Sequence, residues 1–155
     1  MLVSTLVFKA IALSFLAVTP AAAVDWPGDH RVECNEGDYV SKSSFDEAFK
    51  ALYDLCWERG GTKLRDNLRF MRSSRNGAIA TDVFMCNYHP NPCRVEELND
   101  AIEQIKATCT STLNYKGEEL MQTGWFWAGN AWSKSYGYST SDFITPCGKD
   151  FEDSN

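Results

Sequence analysis

The sequence predicts an α+β domain of the split β-α-β sandwich type, in which two helices cover one face of an antiparallel sheet and disulfides staple the layers. Three observations support this class. Two segments repeat apolar residues at helical spacing, an Asn-Gly pair separates two extended segments, and all six cysteines follow a short apolar N-terminal stretch. The expected order of elements is β-α-β-β-α-β.

The N-terminal segment, residues 1–23, has the features of a cleaved secretion signal. It carries one positive charge, Lys9, ahead of an apolar core at 10–18, and small residues follow at the spacing that signal peptidase accepts. This core is too short to span a membrane, and no second apolar run of spanning length follows. We therefore expect a secreted, extracellular protein with one domain at 24–148 and a frayed acidic tail at 149–155.

Composition narrows the classes of partner and activity. With 21 acidic and 15 basic residues, the formal net charge is −6, which disfavours binding to nucleic acid or to anionic membranes. The sequence has no glycine-rich phosphate loop, HExxH pattern or nucleophile motif, so we expect neither an enzyme nor a cofactor. We also expect a monomer.

Six cysteines in a small secreted domain predict three disulfides and no free thiol. The segment "MCNYHPNPCRVEEL" at 85–98 raises the alternative of a zinc site. Zinc needs about four ligands, however, and this loop adds only one histidine, His89, to its cysteines. We therefore interpret the cysteines as structural and expect no metal. The six are Cys34, Cys56, Cys86, Cys93, Cys109 and Cys147.

A weak strand at 30–41 is expected before the clearest helix, which lies within 40–61. Ser44 and Glu47 match a capping box at its start, and Gly60 is expected to end it. The apolar face of this helix consists of Phe45, Ala48, Phe49, Leu52 and Cys56.

Two extended segments, 63–72 and 78–88, follow this helix and are expected to pair as a hairpin. The Asn-Gly pair between them is a strong turn signal. Within the first strand, the alternation of side chains places Phe70 toward the core and Arg69 on the other face.

The second helix is expected to open at Asn91-Pro92. Its apolar face consists of Val95, Leu98, Ile102, Ile105 and Cys109. Because no histidine converges on its four carboxylates, we interpret them as a solvated face rather than as an acid/base pair or a cation site. These carboxylates belong to Glu96, Glu97, Asp100 and Glu103.

Residues 119–140 are expected to form a strand or a final hairpin with a Gly-Asn turn. Trp125 and Trp127 share one face of its first strand, and the favoured interpretation is that this face packs under the helices as sheet core. The alternative is a binding surface, with Trp127 and Trp132 as candidates for stacking on sugar rings or anchoring a protein partner.

The expected topology also restricts the disulfides, because the end of the first helix lies near the start of the second and the third strand closes at the same end. The pairings that follow are Cys56–Cys93, Cys86–Cys147 and Cys34–Cys109. Many other pairings exist for six cysteines, and Cys86–Cys93 remains an alternative because the loop between them is short.

The segments "CNEGDYVSKSSFDEAFKALYDLC" and "AIATDVFMCNYHPNPCRVEELNDAIEQIKATC" resemble the virally encoded α/β killer toxin of smut fungi, and also small secreted fungal proteins thought to share its fold. The resemblance lies in cysteine order and spacing from Cys34 to Cys109. It implies a secreted, disulfide-stapled α/β sandwich with the same three pairings. This chain lacks the toxin's additional cysteines and is acidic, so channel blocking is not expected to carry over.

A cluster of basic residues marks the first strand of the predicted hairpin. Its members are Lys63, Arg65, Arg69, Arg72 and Arg75. Only Asp66 opposes them, so the cluster could meet an anionic partner. The favoured interpretation is a strand edge kept soluble by charge.

The leading hypothesis is a secreted, non-enzymatic, effector-like fungal virulence protein of the apoplast. It would act by binding a host protein and would be a target for recognition by host immune receptors. One alternative is a killer-type toxin against competing microbes. Another is a secreted hydrolase or carbohydrate-binding protein that acts on cell-wall carbohydrate.

Overall fold

The computed structural model describes residues 23–60, 64, 68–140, 147 and 152–153. The expected secretion signal, apart from Ala23, therefore lies outside the described residues. Lys63, Arg65 and most of the acidic tail lie outside them as well.

Two helices and seven strands lie within the described residues. In chain order they are β1 (Arg31–Ser41), α1 (Lys42–Arg59), β2 (Leu68–Ser74), β3 (Thr81–Asn87), α2 (Val95–Thr108), β4 (Thr112–Tyr115), β5 (Glu118–Trp127), β6 (Lys134–Thr140) and β7 (Glu152–Asp153). The predicted α+β class and the order β-α-β-β-α-β are confirmed. The sequence missed β4 and β7.

The strands form one sheet in the order β1-β5-β6-β3-β2-β7, with β4 paired to β5. All pairs are antiparallel, as predicted, except that β7 runs parallel to β2. At Glu152 and Asp153 the chain is therefore paired in the sheet, where the sequence predicted a frayed tail. The remaining tail residues lie outside the described part of the chain.

Helix α1 forms where predicted, but its start is built differently. Its N-cap is Ser41, which makes no side-chain capping bond, so the predicted Ser44–Glu47 capping box is wrong. Instead, the Ser44 hydroxyl accepts the backbone N–H of Gly77 at 2.8 Å, and the Glu47 carboxylate accepts the Ser74 hydroxyl at 2.7 Å. Both side chains therefore form hydrogen bonds with the β2–β3 hairpin, which is remote in sequence from the helix start.

The ends of the helices follow ordinary backbone chemistry. Gly60 takes the left-handed conformation (φ 49°), and its N–H bonds the carbonyls of Cys56 and Trp57, which ends α1 as predicted. Helix α2 begins at Val95 rather than at the predicted Asn91-Pro92. Its N-cap, Arg94, makes no side-chain capping bond.

The main core lies between the two helices and one face of the sheet. Phe45 of α1 and Ile102 of α2 pack there against Phe70, Phe126 and Tyr136 of the strands, and all five are almost fully buried. Each such side chain contributes roughly 1.5–3 kcal/mol on burial. The predicted inward orientation of Phe70 is confirmed.

The β2–β3 hairpin also forms, although not through a two-residue Asn-Gly turn. Ser74 pairs with Thr81, so six residues connect the strands, and Gly77 does not adopt a positive φ. A Cβ at Gly77 would lie 2.3 Å from the Cβ of Ser41. The glycine is required for this close approach to the start of α1.

Three disulfides join the elements. They are Cys34–Cys109, Cys56–Cys93 and Cys86–Cys147, with Cα–Cα distances of 5.5, 5.1 and 5.4 Å. The pairings from topology are confirmed, and the Cys86–Cys93 alternative is wrong. The first bridge ties β1 to the end of α2, the second ties the last turn of α1 to the segment before α2, and the third holds the C-terminal segment on β3.

Candidate functional site

The described members of the predicted basic cluster do not form one patch. Side chains three residues apart on a strand point to opposite faces, so Arg69 lies on the face away from the helices and Arg72 on the helix side. Arg72 donates to the Met71 carbonyl at 2.9 Å. Arg75 is exposed in the loop after β2. Lys63 and Arg65 lie outside the described residues.

The predicted tryptophan pair of β5 lies on the sheet face without helices. Phe126, between Trp125 and Trp127, is fully buried under the helices, so the favoured interpretation of the two tryptophans as helix-side core is wrong. Trp125 packs beside the Cys86–Cys147 cluster on the opposite face, and the ring centroids of Trp127 and Tyr88 are 5.4 Å apart, edge to face. The sequence pattern established alternation but not which phase faced the helices.

Trp132 lies in the β5–β6 turn and packs against the helix-side core, with its ring centroid 4.8 Å from that of Trp26. The Trp26 indole in turn donates to Asp100 of α2. Trp127 and Trp132 therefore belong to different faces of the sheet and do not form one binding surface.

Helix α2 carries a buried carboxylate that the sequence interpretation placed in solvent. Glu97 is only 5% exposed, whereas Glu96 and Glu103 on the same helix are exposed as predicted. One Glu97 oxygen accepts hydrogen bonds from the Lys134 ammonium at 2.6 Å and the Tyr136 hydroxyl at 2.7 Å. Both donors come from β6, so helical periodicity could not reveal them.

Burial shapes the electrostatics of this cluster. It lowers the pKa of the Lys134 ammonium, and attraction to the Glu97 carboxylate partly opposes that shift. Burial, together with the negative charge of Glu97, raises the pKa of the Tyr136 hydroxyl well above its ordinary value. Tyr136 therefore keeps its proton and donates to Glu97. Lys134 makes a further bond to the Pro92 carbonyl at 2.9 Å.

Two cavities share Arg94 as a lining residue, and Glu97 and Lys134 line one of them. The larger, of about 610 Å³, is lined by Cys56, Trp57, Gly60, Cys93, Arg94, Val95 and Glu96. The smaller, of about 220 Å³, is lined by Asn91, Pro92, Arg94, Glu97, Trp132 and Lys134. We call the first the Trp57 groove and the second the Lys134 cavity. The Trp57 groove lies at the C-terminal end of α1, and both cavities border the start of α2.

Trp57 is the most exposed large hydrophobic side chain in the described part of the chain, at 67%. It lies one residue after Cys56, and Gly60 ends the helix within the next turn. The sequence held a signal for it, because this tryptophan falls outside the apolar stripe of α1. An exposed indole beside a concave surface is typical of an interaction site.

The guanidinium of Arg94 has N–H donors that are open to a ligand. Its side chain is 61% exposed, and its Nε lies 3.8 Å from a Glu97 oxygen, which is too long for a hydrogen bond. The other Glu97 oxygen already accepts from Lys134 and Tyr136. Among the described residues the guanidinium of Arg94 makes no hydrogen bond. The site thus combines an exposed indole, an exposed arginine in long-range ion-pair contact with Glu97, and the buried Glu97–Lys134 pair.

No family model, curated protein or solved structure matches this chain. The resemblance to the smut-fungus toxin therefore stays an expectation from cysteine spacing. Within the ranges that the structure covers, no cluster of three or more His, Cys, Asp or Glu side chains could hold a metal ion. In the same ranges, no helix is long and apolar enough to cross a membrane.

Proposed function

We propose that this protein is a secreted, non-enzymatic, effector-like virulence protein that binds a host protein through the Trp57 groove. The observation that carries the proposal is Trp57 itself, an indole left 67% exposed at the edge of a concave surface of about 610 Å³. Three disulfides in a small domain support an extracellular protein.

The backbone that carries Trp57 is held in place on both sides of the residue. Trp57 follows a residue fixed by the Cys56–Cys93 bridge, and the helix that carries it ends in the bonded Gly60 cap. A rigid aromatic side chain loses little conformational entropy on binding, so more of its contact energy appears as affinity. Tryptophan is enriched among the few interface residues whose truncation costs about 2 kcal/mol or more.

The effector role rests on the resemblance in cysteine spacing, and the acidic charge separates the chain from the toxin. A killer-type toxin is the alternative that the same spacing allows. A carbohydrate-binding role finds support in Trp132, which lines the Lys134 cavity.

Infiltration of leaves from a panel of plant genotypes with purified protein tests the proposal. We expect a cell response restricted to particular genotypes, which Trp57→Ala abolishes or weakens by about 30-fold in the dose required, as for loss of an interface anchor. Tyr115→Ala is the matched control. Tyr115 is also an exposed aromatic residue, 42% exposed, but it lies on β4 away from the groove.

Other outcomes would redirect the proposal. Inhibition of fungal growth without any plant response would favour the toxin. Binding to chitin or glucan that disappears in Trp127→Ala would favour a carbohydrate-binding role on the open sheet face. Equal responses to Trp57→Ala and Tyr115→Ala would show that the Trp57 groove does not bind the host protein.

A further inference from the structure

We propose that the Lys134 cavity binds a carboxylate-bearing sugar, namely a uronic-acid unit of an acidic polysaccharide. The cavity shares Arg94 with the Trp57 groove, but Trp57 does not line it. Trp57→Ala therefore distinguishes this proposal from the host-protein proposal, because it changes the groove and leaves the lining of the cavity intact.

The charge of the cavity favours an anion. Its wall carries two cations, Arg94 and Lys134, against one carboxylate, Glu97. Glu97 pairs with Lys134 at 2.6 Å and its other oxygen lies 3.8 Å from Arg94, so the three charges together leave a net +1. A net positive wall in a chain of charge −6 concentrates anionic ligands at this place.

Arg94 supplies the geometry that a carboxylate needs. Its guanidinium presents several N–H donors in a planar fork that matches the two oxygens of a carboxylate. The side chain is 61% exposed and makes no hydrogen bond within the described residues, so a ligand can reach these donors. Lys134 lies deeper and uses two of its three donors on Glu97 and Pro92, which leaves one N–H.

The rest of the wall fits a hydroxyl-bearing ring. Trp132 adds an aromatic surface, and such surfaces stack on the apolar faces of sugars. The side-chain amide of Asn91 donates to the backbone carbonyls of Trp132 at 2.6 Å and His89 at 3.2 Å, which leaves its oxygen as an acceptor for a hydroxyl. Donors, an acceptor and a ring therefore surround one small space.

The size of the cavity limits the ligand. Its volume of about 220 Å³ is below the roughly 300–1,000 Å³ of pockets that enclose drug-sized molecules. One sugar ring suits this space better than a folded peptide segment. An acidic peptide side chain would satisfy Arg94 but would leave the Asn91 acceptor and the Trp132 ring unused, which favours the sugar.

Calorimetric titration with three ligands tests the proposal. The trimer of galacturonic acid should bind, whereas the trimer of neutral galactose should not. Triglutamate carries the same net charge near pH 7 without the sugar rings and should bind more weakly than the acidic sugar. Tighter binding of triglutamate, equal binding of the neutral sugar, or no binding of the acidic sugar would each overturn the proposal.

Variants identify the residues responsible. Arg94→Gln should raise the Kd for the galacturonic acid trimer by about 10-fold or more, through loss of charged hydrogen bonds. Arg94→Lys keeps the charge but loses the planar guanidinium. Its Kd for the trimer should therefore lie between those of Arg94→Gln and the parent protein. Trp57→Ala should bind the trimer unchanged. The Arg94 side chain makes no capping hydrogen bond to α2, so Arg94→Gln should fold normally, as circular dichroism would show.

A second readout needs no substitution. In a two-dimensional NMR titration of the parent protein, the indole N–H signal of Trp132 should shift with the acidic trimer, and that of Trp125 on the opposite sheet face should not. Shifts at Trp125 alone would place sugar binding on the open face and contradict the Lys134 cavity.

Discussion

The two ends of helix α1 both organise polar side chains around a glutamate, but they leave different groups unsatisfied. At the N-terminal end, Glu118 accepts the Ala78 N–H at 2.8 Å and the Ser41 and Ser43 hydroxyls at 3.0 Å each. At the C-terminal end, Glu97 accepts from Lys134 and Tyr136, and Arg94 stands beside it without a hydrogen bond.

The difference separates a structural network from a binding site. Glu118 ties the β2–β3 loop to the start of α1 and uses the donors around it, so little is left to attract a ligand. Near Glu97, a guanidinium and the exposed indole of Trp57 remain available. Buried or bonded carboxylates occur at both ends, so what marks the binding end is the surplus of donors and aromatic surface.

Glu97→Gln should produce the largest change in stability. It removes the negative charge from a carboxylate that serves the buried Lys134, and an ammonium that is 2% exposed then lacks its counterion. Breaking a buried ion pair in this way costs about 3–5 kcal/mol. Urea unfolding with intact disulfides measures the loss. The control, Glu96→Gln on the exposed side of α2, should cost at most about 1 kcal/mol. Similar losses in both variants would show that the buried pair contributes nothing specific.

Gly77→Ala should weaken the opposite end of α1 by about 1–3 kcal/mol, because the new methyl group overlaps the Ser41 side chain. The loop would have to move away from Ser44, which accepts the Gly77 N–H. Gly28→Ala is the control, since nothing lies within 4 Å of its added Cβ. Equal melting temperatures for the two variants would contradict the close contact between the loop and the helix.

The sequence predicted the fold better than it predicted the side-chain contacts at either end of α1. Apolar stripes on α1 and α2, strand alternation and cysteine placement are local or topological signals. They predicted the layer order and favoured the three observed disulfides, with Cys86–Cys93 left as an alternative. Ser44 and Glu47 show where such local signals fail. The two residues match a capping motif, but their side chains bond Gly77 and Ser74 instead of the helix start.

The binding end was harder to predict for a related reason. Whether Glu97 faces solvent depends on Lys134 and Tyr136, which reach it from a strand 37 and 39 residues later. The phase of alternation in β5, which placed Phe126 rather than Trp125 inside, likewise depends on the partner strands. Two aromatic residues of the binding end did carry a signal in the sequence. Trp132 was a predicted binding candidate, and Trp57 lies outside the apolar stripe of α1.

Glu118→Gln should change how stability responds to acid. The Ala78 N–H above all, and then the Ser43 and Ser41 hydroxyls, hold the pKa of the Glu118 carboxyl below its ordinary value, and burial opposes them. A lowered folded-state pKa means that this carboxylate stabilises the protein above pH about 4.5 and that the contribution is lost as the pH falls further. The difference in melting temperature between parent and variant should therefore shrink in acid. Glu119→Gln, at an exposed neighbour, provides the control. A difference independent of pH would contradict the network.

Arg75→Glu should produce the smallest effect. Arg75 is exposed in the loop at the N-terminal end of α1, and such surface changes alter stability by less than about 0.5 kcal/mol. Because the described arginines of the basic cluster do not converge, the plant response should also stay unchanged. A weaker plant response at unchanged melting temperature would indicate that the β2–β3 hairpin is a recognition surface.

Site-specific photo-crosslinking tests most directly whether partners bind at the C-terminal end of α1. A benzoylphenylalanine placed at position 57, or at position 115 as the comparison, is irradiated in host extracellular fluid. We predict that adducts form at position 57, that excess parent protein suppresses them, and that excess Trp57→Ala does not. Adducts that form equally at both positions, or that Trp57→Ala suppresses as well as the parent does, would contradict a binding site at the Trp57 groove.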